Sequence, residues 1–300
     1  MKSNVKQSNN RAAFTIVELL TVMSIIVILI GLLVPALNQV KRYAYGVKQM
    51  AQLKSIDTAI ELFNSEFDGY PDSSARGPDD VPYCGAMKLC EAAMGQDLMG
   101  FHQDSIFRAD GTDGFKPLYP DVNTAPLPYQ NSLSMRRGPY LPPENANAYR
   151  LADLYATTTP FNPRHFVLCD VFRRVTHRTT GKKVGMPILY YRANTSNTNH
   201  NVAMPGDPQN IYNYQDNQQL LVLGKPWDQG GTTSTPHRLA VETGKQQGVR
   251  FYMNTKNEKV TTASRPYRAD TYILISAGWD GEYGTPDDIC NFEWRYKELP

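Results

Sequence analysis

The sequence lacks the short motifs that mark most catalytic sites. It contains no GxSxG nucleophile turn, no HExxH zinc pair and no glycine loop that would cradle a phosphate. Its five histidines lie in polar segments, which predicts surface positions rather than catalytic bases or metal ligands: His102, His165, His177, His200 and His237. Nothing positive therefore predicts an enzyme, and a membrane-anchored enzyme is kept only as a third hypothesis, to be favoured if the part from residue 40 onward turns over a substrate.

Cysteine is also sparse, with four residues and no CxxC pair. The missing CxxC spacing argues against a structural zinc site. An even number of cysteines suits disulfides if the chain lies outside the cytoplasm. Three pairings are open, of which Cys84 with Cys90 would close a small loop and Cys169 with Cys290 is its complement.

Net charge is nearly absent from the body of the chain. Lys2, Lys6 and Arg11 lie in the first 13 residues without an acid, and the remainder has 28 basic against 29 acidic residues. Such a balance gives no general attraction to nucleic acid.

Residues 14–37, FTIVELLTVMSIIVILIGLLVPAL, contain a single charge, Glu18. A helix of this length spans about 36 Å, enough to cross a hydrocarbon core of about 30 Å. A secretory signal has a shorter apolar region followed by small residues, whereas here Ala12 and Ala13 precede the run. We expect one transmembrane helix, with the short leader favouring a cytoplasmic N-terminus.

Glu18 is the anomaly in this run, because a carboxylate inside a membrane segment usually has a partner. One interpretation is that Glu18 lies close enough to the headgroups to reach water. The other is that a cation from a second copy of the chain pairs with it.

The stretch AFTIVELL, residues 13–20, resembles the cleavage and methylation motif of type IV pilins and type II secretion pseudopilins, usually G/FTxxE. The resemblance implies that a membrane aspartyl peptidase cuts between Ala13 and Phe14 and methylates the Phe14 amine. It also implies that Glu18 of one subunit neutralises that amine in its neighbour. Ala13 replaces the usual Gly, and because this is the smallest change available we expect cleavage to persist, at a lower rate. Pro35 stands 21 residues after Phe14, as in the family, where it bends the helix.

The helix is predicted to continue over residues 38–71, with an apolar face that needs a sheet beneath it: Val40, Ala44, Val47, Ala51, Ile56, Ile60, Phe63 and Phe67. The sequence Asp-Gly-Tyr-Pro, residues 68–71, is expected to end it, with Gly69 as the left-handed cap. By itself this pattern indicates only an amphipathic helix. Residues 51–71 also resemble the matching stretch of major pseudopilins.

Near the C-terminus, Tyr272 to Ser276 reads as a buried strand, followed by a glycine-rich turn that crowds acids into residues 280–288. Composition alone favours a solvated acidic turn. The turn also resembles the calcium loop that ends major pseudopilins, and Ca²⁺ prefers six to eight oxygen ligands. That resemblance implies Asp280 and Asp288 as first ligands, then Asp287, with Ser276 and nearby carbonyls as helpers.

Residues 72–266 are not covered by the resemblance and are expected to be a large insertion. A short helix is predicted near residues 87–94, and extended segments at 165–172, 186–193 and 248–253. The first two extended segments could form a hairpin, whose connection carries a basic run that is typical of a solvated loop rather than of a binding patch. Residues 194–235 read as long surface loops.

The sequence therefore predicts an α+β protein of the pilin fold, with a long N-terminal helix on a small antiparallel sheet. The segments are a leader (1–13), a transmembrane part (14–37), an amphipathic helix (38–71), a variable insertion (72–266) and a C-terminal strand with its Asp-rich loop (267–300).

The resemblance implies a structural pseudopilin of a type II secretion system in the inner membrane, with a periplasmic C-terminal domain. Its implied partners are further copies in a filament, other pseudopilins, the prepilin peptidase and the inner-membrane assembly platform. A type IV pilin or minor pilin is the alternative.

Overall fold

The computed structural model describes residues 15–228, 235–240 and 247–298, so the leader, Ala13 and Phe14 lie outside it. The chain forms two compact units, residues 1–44 and 45–300. The helices are α1 Ile16–Phe67, α2 Gly85–Met94, α3 Pro126–Ser134, α4 Pro143–Ala146, α5 Leu151–Leu154, α6 Gln218–Val222 and α7 Val249–Thr255, with 3-10 turns at Tyr214–Asn217 and Pro226–Asp228. The strands are β1 Phe101–His102, β2 Thr112–Asp113, β3 Lys116–Pro117, β4 Arg136–Arg137, β5 Ala148–Arg150, β6 Phe166–Leu168, β7 Val175–Thr176, β8 Lys183–Val184, β9 Leu189–Arg192, β10 Tyr272–Ser276 and β11 Ile289–Cys290.

The first unit contains the apolar part of α1. Its large apolar side chains, from Ile16 to Leu37, are exposed. By length and composition α1 is long and apolar enough to cross a membrane, and it is the one such helix among the described residues. A helix that is apolar all round must be covered by lipid or by other proteins.

The second unit begins within α1, whose buried side chains recur every three or four residues: Gln49, Gln52, Leu53, Ile56, Ala59, Ile60 and Phe63. The predicted face is right for Ile56, Ile60 and Phe63. It is wrong for Val40, Ala44, Val47 and Ala51, which are exposed. The buried face starts instead with two glutamines, because their amides bond backbone groups of the domain.

The central sheet has the order β11-β10-β9, and all its pairings are antiparallel. Its middle strand is buried throughout, as predicted. Successive side chains of a strand point to opposite faces. Tyr272 and Leu274 accordingly share a cluster with Ile56 and Ile60 of α1, whereas Ile273 and Ile275 join a second cluster. The helix therefore packs on one face of the sheet.

The insertion covers the other face of the sheet. Side chains from residues 194–235 are buried there, which corrects the prediction of surface loops: Ile211, Tyr212, Tyr214, Leu220, Leu221 and Leu223. Residues 249–255 form α7 rather than a strand, and its Phe251 ring lies 4.7 Å from the ring of Tyr191 in β9. The insertion also supplies β9 itself, so it completes the sheet.

The predicted hairpin and helix end are partly right. The Ile188 amide donates to the Leu168 carbonyl at 2.7 Å, and β7 pairs with β8, so the two extended segments lie antiparallel. The α1 helix ends at Phe67 as expected. Its left-handed residue is Asp68 (φ 54°) rather than Gly69, and aspartate is one of the few residues that accept this conformation.

Candidate functional site

Thr15 and Glu18 cap the N-terminus of α1. The Glu18 Oε2 atom accepts hydrogen bonds from the Thr15 backbone amide at 2.9 Å and from the Thr15 hydroxyl at 2.8 Å. The Glu18 amide donates back to the Thr15 hydroxyl at 3.2 Å. This is a capping box, in which the two residues satisfy each other's free donors. The Thr-x-x-Glu spacing was readable from the sequence, so Glu18 has a role within its own chain that sequence reasoning missed.

The remaining polar side chains of the apolar segment are also bonded within the helix. The Thr21 hydroxyl donates to the Glu18 carbonyl at 2.9 Å, and the Ser24 hydroxyl donates to the Leu20 carbonyl at 2.8 Å. Such bonds leave no hydroxyl donor in need of water. The three hydroxyl groups of the segment therefore meet the requirement that a bilayer places on polar side chains.

Pro35 lies inside α1, and the helix continues through it. Proline has no amide hydrogen, so the Gly31 carbonyl loses its usual helical donor. A side chain on Gly31 would meet nothing within 4 Å. Pro35 thus lies in a stretch of α1 whose residues are all exposed.

The Asp-rich loop is organised by its own carboxylates. Asp288 is buried, and its Oδ2 accepts the Gly284 amide at 2.7 Å. The Asp280 amide donates to Asp287 Oδ2 at 3.0 Å. Gly278 has φ +65°, and a Cβ there would lie 2.1 Å from the Asp287 carbonyl oxygen, so only glycine fits this turn.

These carboxylates raise one another's pKa. Burial and the nearby Asp287 raise the pKa of Asp280 to about 6. Burial, and then Asp280 and Asp287, raise the pKa of Asp288 well above its ordinary value. Glu282 differs, because it pairs with Lys225 at 3.0 Å. The loop therefore holds a group of acids whose charge no basic side chain of the described residues balances by a direct ion pair.

The loop is not a formed metal cage. Within residues 15–228, 235–240 and 247–298, no three His, Cys, Asp or Glu side chains are arranged to hold an ion. The Ser276 hydroxyl, expected to help, instead donates to the buried Asp170 at 3.0 Å. To bind calcium, Asp287 and Asp288 would have to give up the hydrogen bonds that they accept from the Asp280 and Gly284 amides.

All four cysteines are buried free thiols. Cys84 caps α2 and Cys90 lies within it, six residues on. Six helical residues rise about 9 Å, beyond the Cα separation that a disulfide allows, so this predicted pairing cannot form while α2 is intact. Cys169 and Cys290 are likewise unbonded. Burial raises the pKa of the Cys84 thiol to about 11, which suppresses its reactivity.

Four of the five histidines are buried, which corrects the prediction of surface positions: His102, His165, His200 and His237. Their rings pack against tyrosines while a ring nitrogen can bond the backbone, as His165 Nε2 does with the Ala109 carbonyl at 2.8 Å. Burial lowers the pKa of His200 to about 4 and that of His237 to about 3, so these two are neutral core residues near pH 7.

Two glutamines and an aspartate fix α1 to the domain, and sequence reasoning singled out none of them. Gln49 Oε1 accepts the Val171 amide at 2.9 Å, and Gln52 Nε2 donates to the Cys169 carbonyl at 2.8 Å. Asp57 accepts the Tyr272 hydroxyl of β10 at 2.9 Å. Their partners lie more than 100 residues away, so no local pattern could have shown them.

A cavity of about 710 Å³ in the second unit is lined mainly by polar residues, several of them Asn, Asp and Ser. Asn197 and Asn210 donate to carbonyls of the surrounding loop, at 2.9 Å to Pro208 and 3.1 Å to Met204. Asp216 accepts the Ser73 hydroxyl at 2.5 Å. These side chains build the cavity wall.

No family model, curated protein or solved structure matches this chain at a significant level.

Proposed function

We propose that the chain is a filament subunit of the pilin-like class, a pseudopilin of a type II secretion system, anchored by the apolar part of α1 before assembly. The observation that carries this proposal is the start of α1. There a carboxylate is held by a capping box at the head of an exposed apolar helix whose hydroxyl groups are bonded internally. The capping box by itself does not require the negative charge, because glutamine can serve at the same position.

The capping box leaves half of the Glu18 carboxylate available. Both bonds from Thr15 go to Oε2, and Oε1 has no hydrogen-bond partner in the described part of the chain. After cleavage between Ala13 and Phe14, a neighbouring subunit would bring a methylated Phe14 amine to this oxygen. Charge neutralisation would then favour the packed state, because an unpaired charge in lipid is costly.

Fractionation tests this function. In cells with the secretion apparatus, sheared or overproduced filaments should contain the chain, and its deletion should stop cargo export. Surface fibres with unchanged export would favour the type IV pilin alternative. Absence of the chain from every filament would overturn both.

The Asp-rich loop favours the secretion class, and we propose that it binds Ca²⁺. The group of carboxylates that lacks direct ion pairs supports this. Asp280, Asp287 and Asp288 would hold the ion with backbone carbonyls, and the ion would lock the loop against β10 and β11.

Calcium should therefore raise the Tm of the full chain in detergent. At a concentration of 100 Kd the gain is about 2.7 kcal/mol, or roughly 5–10 °C for a domain of this size. Asp288→Asn should abolish the response, since the amide oxygen can still cap Gly284 but carries no charge. Asp113→Asn, at an exposed position of β2, is the control and should keep the response. An identical wild-type Tm in calcium and in chelator would remove calcium from the proposal.

A further inference from the structure

Positive charge is concentrated on one hairpin of the second unit. Residues 173–184, here called the basic hairpin, contain five basic residues and no acid: Arg173, Arg174, Arg178, Lys182 and Lys183. All five are exposed. From residue 14 onward there are 28 basic residues, so 23 remain outside the hairpin against 29 acids. Outside the hairpin the net charge is −6 (23 minus 29), so the basic hairpin is a net-positive segment of a net-negative body.

The cations of the basic hairpin are not used for internal ion pairs in the described part of the chain. Lys183 donates to the Thr176 hydroxyl at 2.6 Å, and the Arg174 guanidinium lies 4.7 Å from the Trp227 ring centre. Asp153 lies 3.8 Å from His177 of the hairpin. Val175 and Val184 are buried and hold the two strands to the core. The hairpin is therefore a fixed platform with its charges facing solvent.

Three aromatic rings, here called the aromatic root, lie where the basic hairpin leaves the domain. Phe172 lies 6.2 Å from Tyr45 and 6.3 Å from Trp279, and Tyr45 lies 5.8 Å from Trp279. Two of the three tryptophans of the chain, Trp227 and Trp279, are partly exposed here. Tryptophan beside basic residues is typical of protein surfaces at the membrane–water interface.

Few residues separate the aromatic root from the apolar segment along the chain. Tyr45 follows Leu37, the last residue of the apolar run, by eight residues. Even fully extended, that chain reaches no more than about 28 Å. A tether this short gives the basic hairpin a high effective concentration at the bilayer surface, so weak contacts suffice.

We propose that the basic hairpin binds anionic phospholipid headgroups while the chain is anchored in the membrane, before it enters a filament. The inference rests on the proposed membrane anchoring by α1. Each basic residue near an anionic surface contributes about fivefold in affinity. Docking would fix the domain against the leaflet, and leaving the membrane would require these contacts to be released.

The test uses the full chain in nanodiscs of phosphatidylcholine alone or mixed with phosphatidylglycerol. Thr179→Cys carries an environment-sensitive fluorophore near the hairpin tip, since the native thiols are buried. We expect a blue shift only in anionic discs, reversed by high salt. Arg178→Gln with Lys182→Gln should lower the ratio of docked to undocked hairpins about 25-fold. The matched pair Lys116→Gln with Arg164→Gln removes two exposed charges elsewhere and should change nothing.

Equal emission in both lipids, or an equal loss in the matched pair, would overturn the proposal. A shift that follows the number of copies per disc rather than lipid charge would overturn it in favour of a second copy as the partner. Failure of the chain to insert would overturn the anchor and the hairpin proposal together, whereas insertion without a shift overturns the hairpin proposal alone.

Discussion

Glu18→Gln should leave membrane insertion and leader cleavage intact and abolish incorporation into filaments. Glutamine at this position still accepts the Thr15 bonds of the capping box, so the helix start is preserved. Only the negative charge is lost. Quantitative blotting of the filament fraction against the membrane fraction measures the effect, which we expect to exceed tenfold.

Two further variants separate charge from capping. Thr15→Ala removes the hydroxyl of the capping box and keeps the charge, so it should still assemble. Thr21→Val removes a hydroxyl with only a local bond and should behave as wild type. If Glu18→Gln assembled normally while Glu18→Ala and Thr15→Ala failed, Glu18 would be a helix cap and the proposed assembly role would be wrong.

Asp170→Asn should stabilise the domain at pH 8 and leave its stability near pH 4 unchanged. The carboxylate accepts the Phe172 and Met186 amides at 3.1 Å and the Ser276 hydroxyl at 3.0 Å. Burial nevertheless raises its pKa to about 8. Below the unfolded pKa, near 4, both states hold the proton. Between pH 4 and 8 the Asp170 carboxyl loses its proton in the unfolded state but keeps it in the folded state. The free energy of unfolding of the wild type therefore falls across this window.

At pH 8 and above, the free energy of unfolding of Asp170→Asn should exceed that of the wild type by about 5 kcal/mol. Denaturant unfolding of the variant and the wild type at several pH values measures this difference in unfolding free energy. The buried histidines, which destabilise the folded state below pH 6.5, are present in both proteins, so their effect cancels. Asp80→Asn, at an exposed carboxylate, is the control and should show no such trend. A constant difference between pH 4 and 8 would mean that Asp170 is not a buried acid of raised pKa.

The sequence predicted those parts of the fold that depend on local pattern. The apolar segment, the α1 end at Phe67, the short helix α2 and the strand Tyr272–Ser276 are all present. Each has its signal within one stretch of chain, as a hydrophobic run, a turn or a helical period. The α+β class with a long apolar helix and small antiparallel sheets follows from these elements.

Long-range pairing could not be read in the same way. Strand β9 lies 80 residues before its partner β10, and nothing local marks Leu189–Arg192 as the strand beside it. The tyrosines and leucines of residues 194–235 looked like loop residues because Asn, Gly and Pro surround them. They are buried because they pack against the apolar second face of the sheet, and this contact is visible only in the tertiary structure.

Polar core residues were the hardest to predict. Gln49 and Gln52 break the apolar face of α1, yet they bond the backbone beside β6. Aspartate is usually found at the surface, yet Asp170 lies in the core. Buried polar groups need hydrogen-bond partners, and the sequence does not show which distant groups those partners are.

The N-terminus of the mature chain tests the central claim most directly. Mass spectrometry of the protein extracted from membranes that contain a prepilin peptidase should show residues 1–13 removed and one methyl group on the amine of Phe14. An intact leader, or cleavage at another position, would contradict the account of this chain as a processed filament subunit.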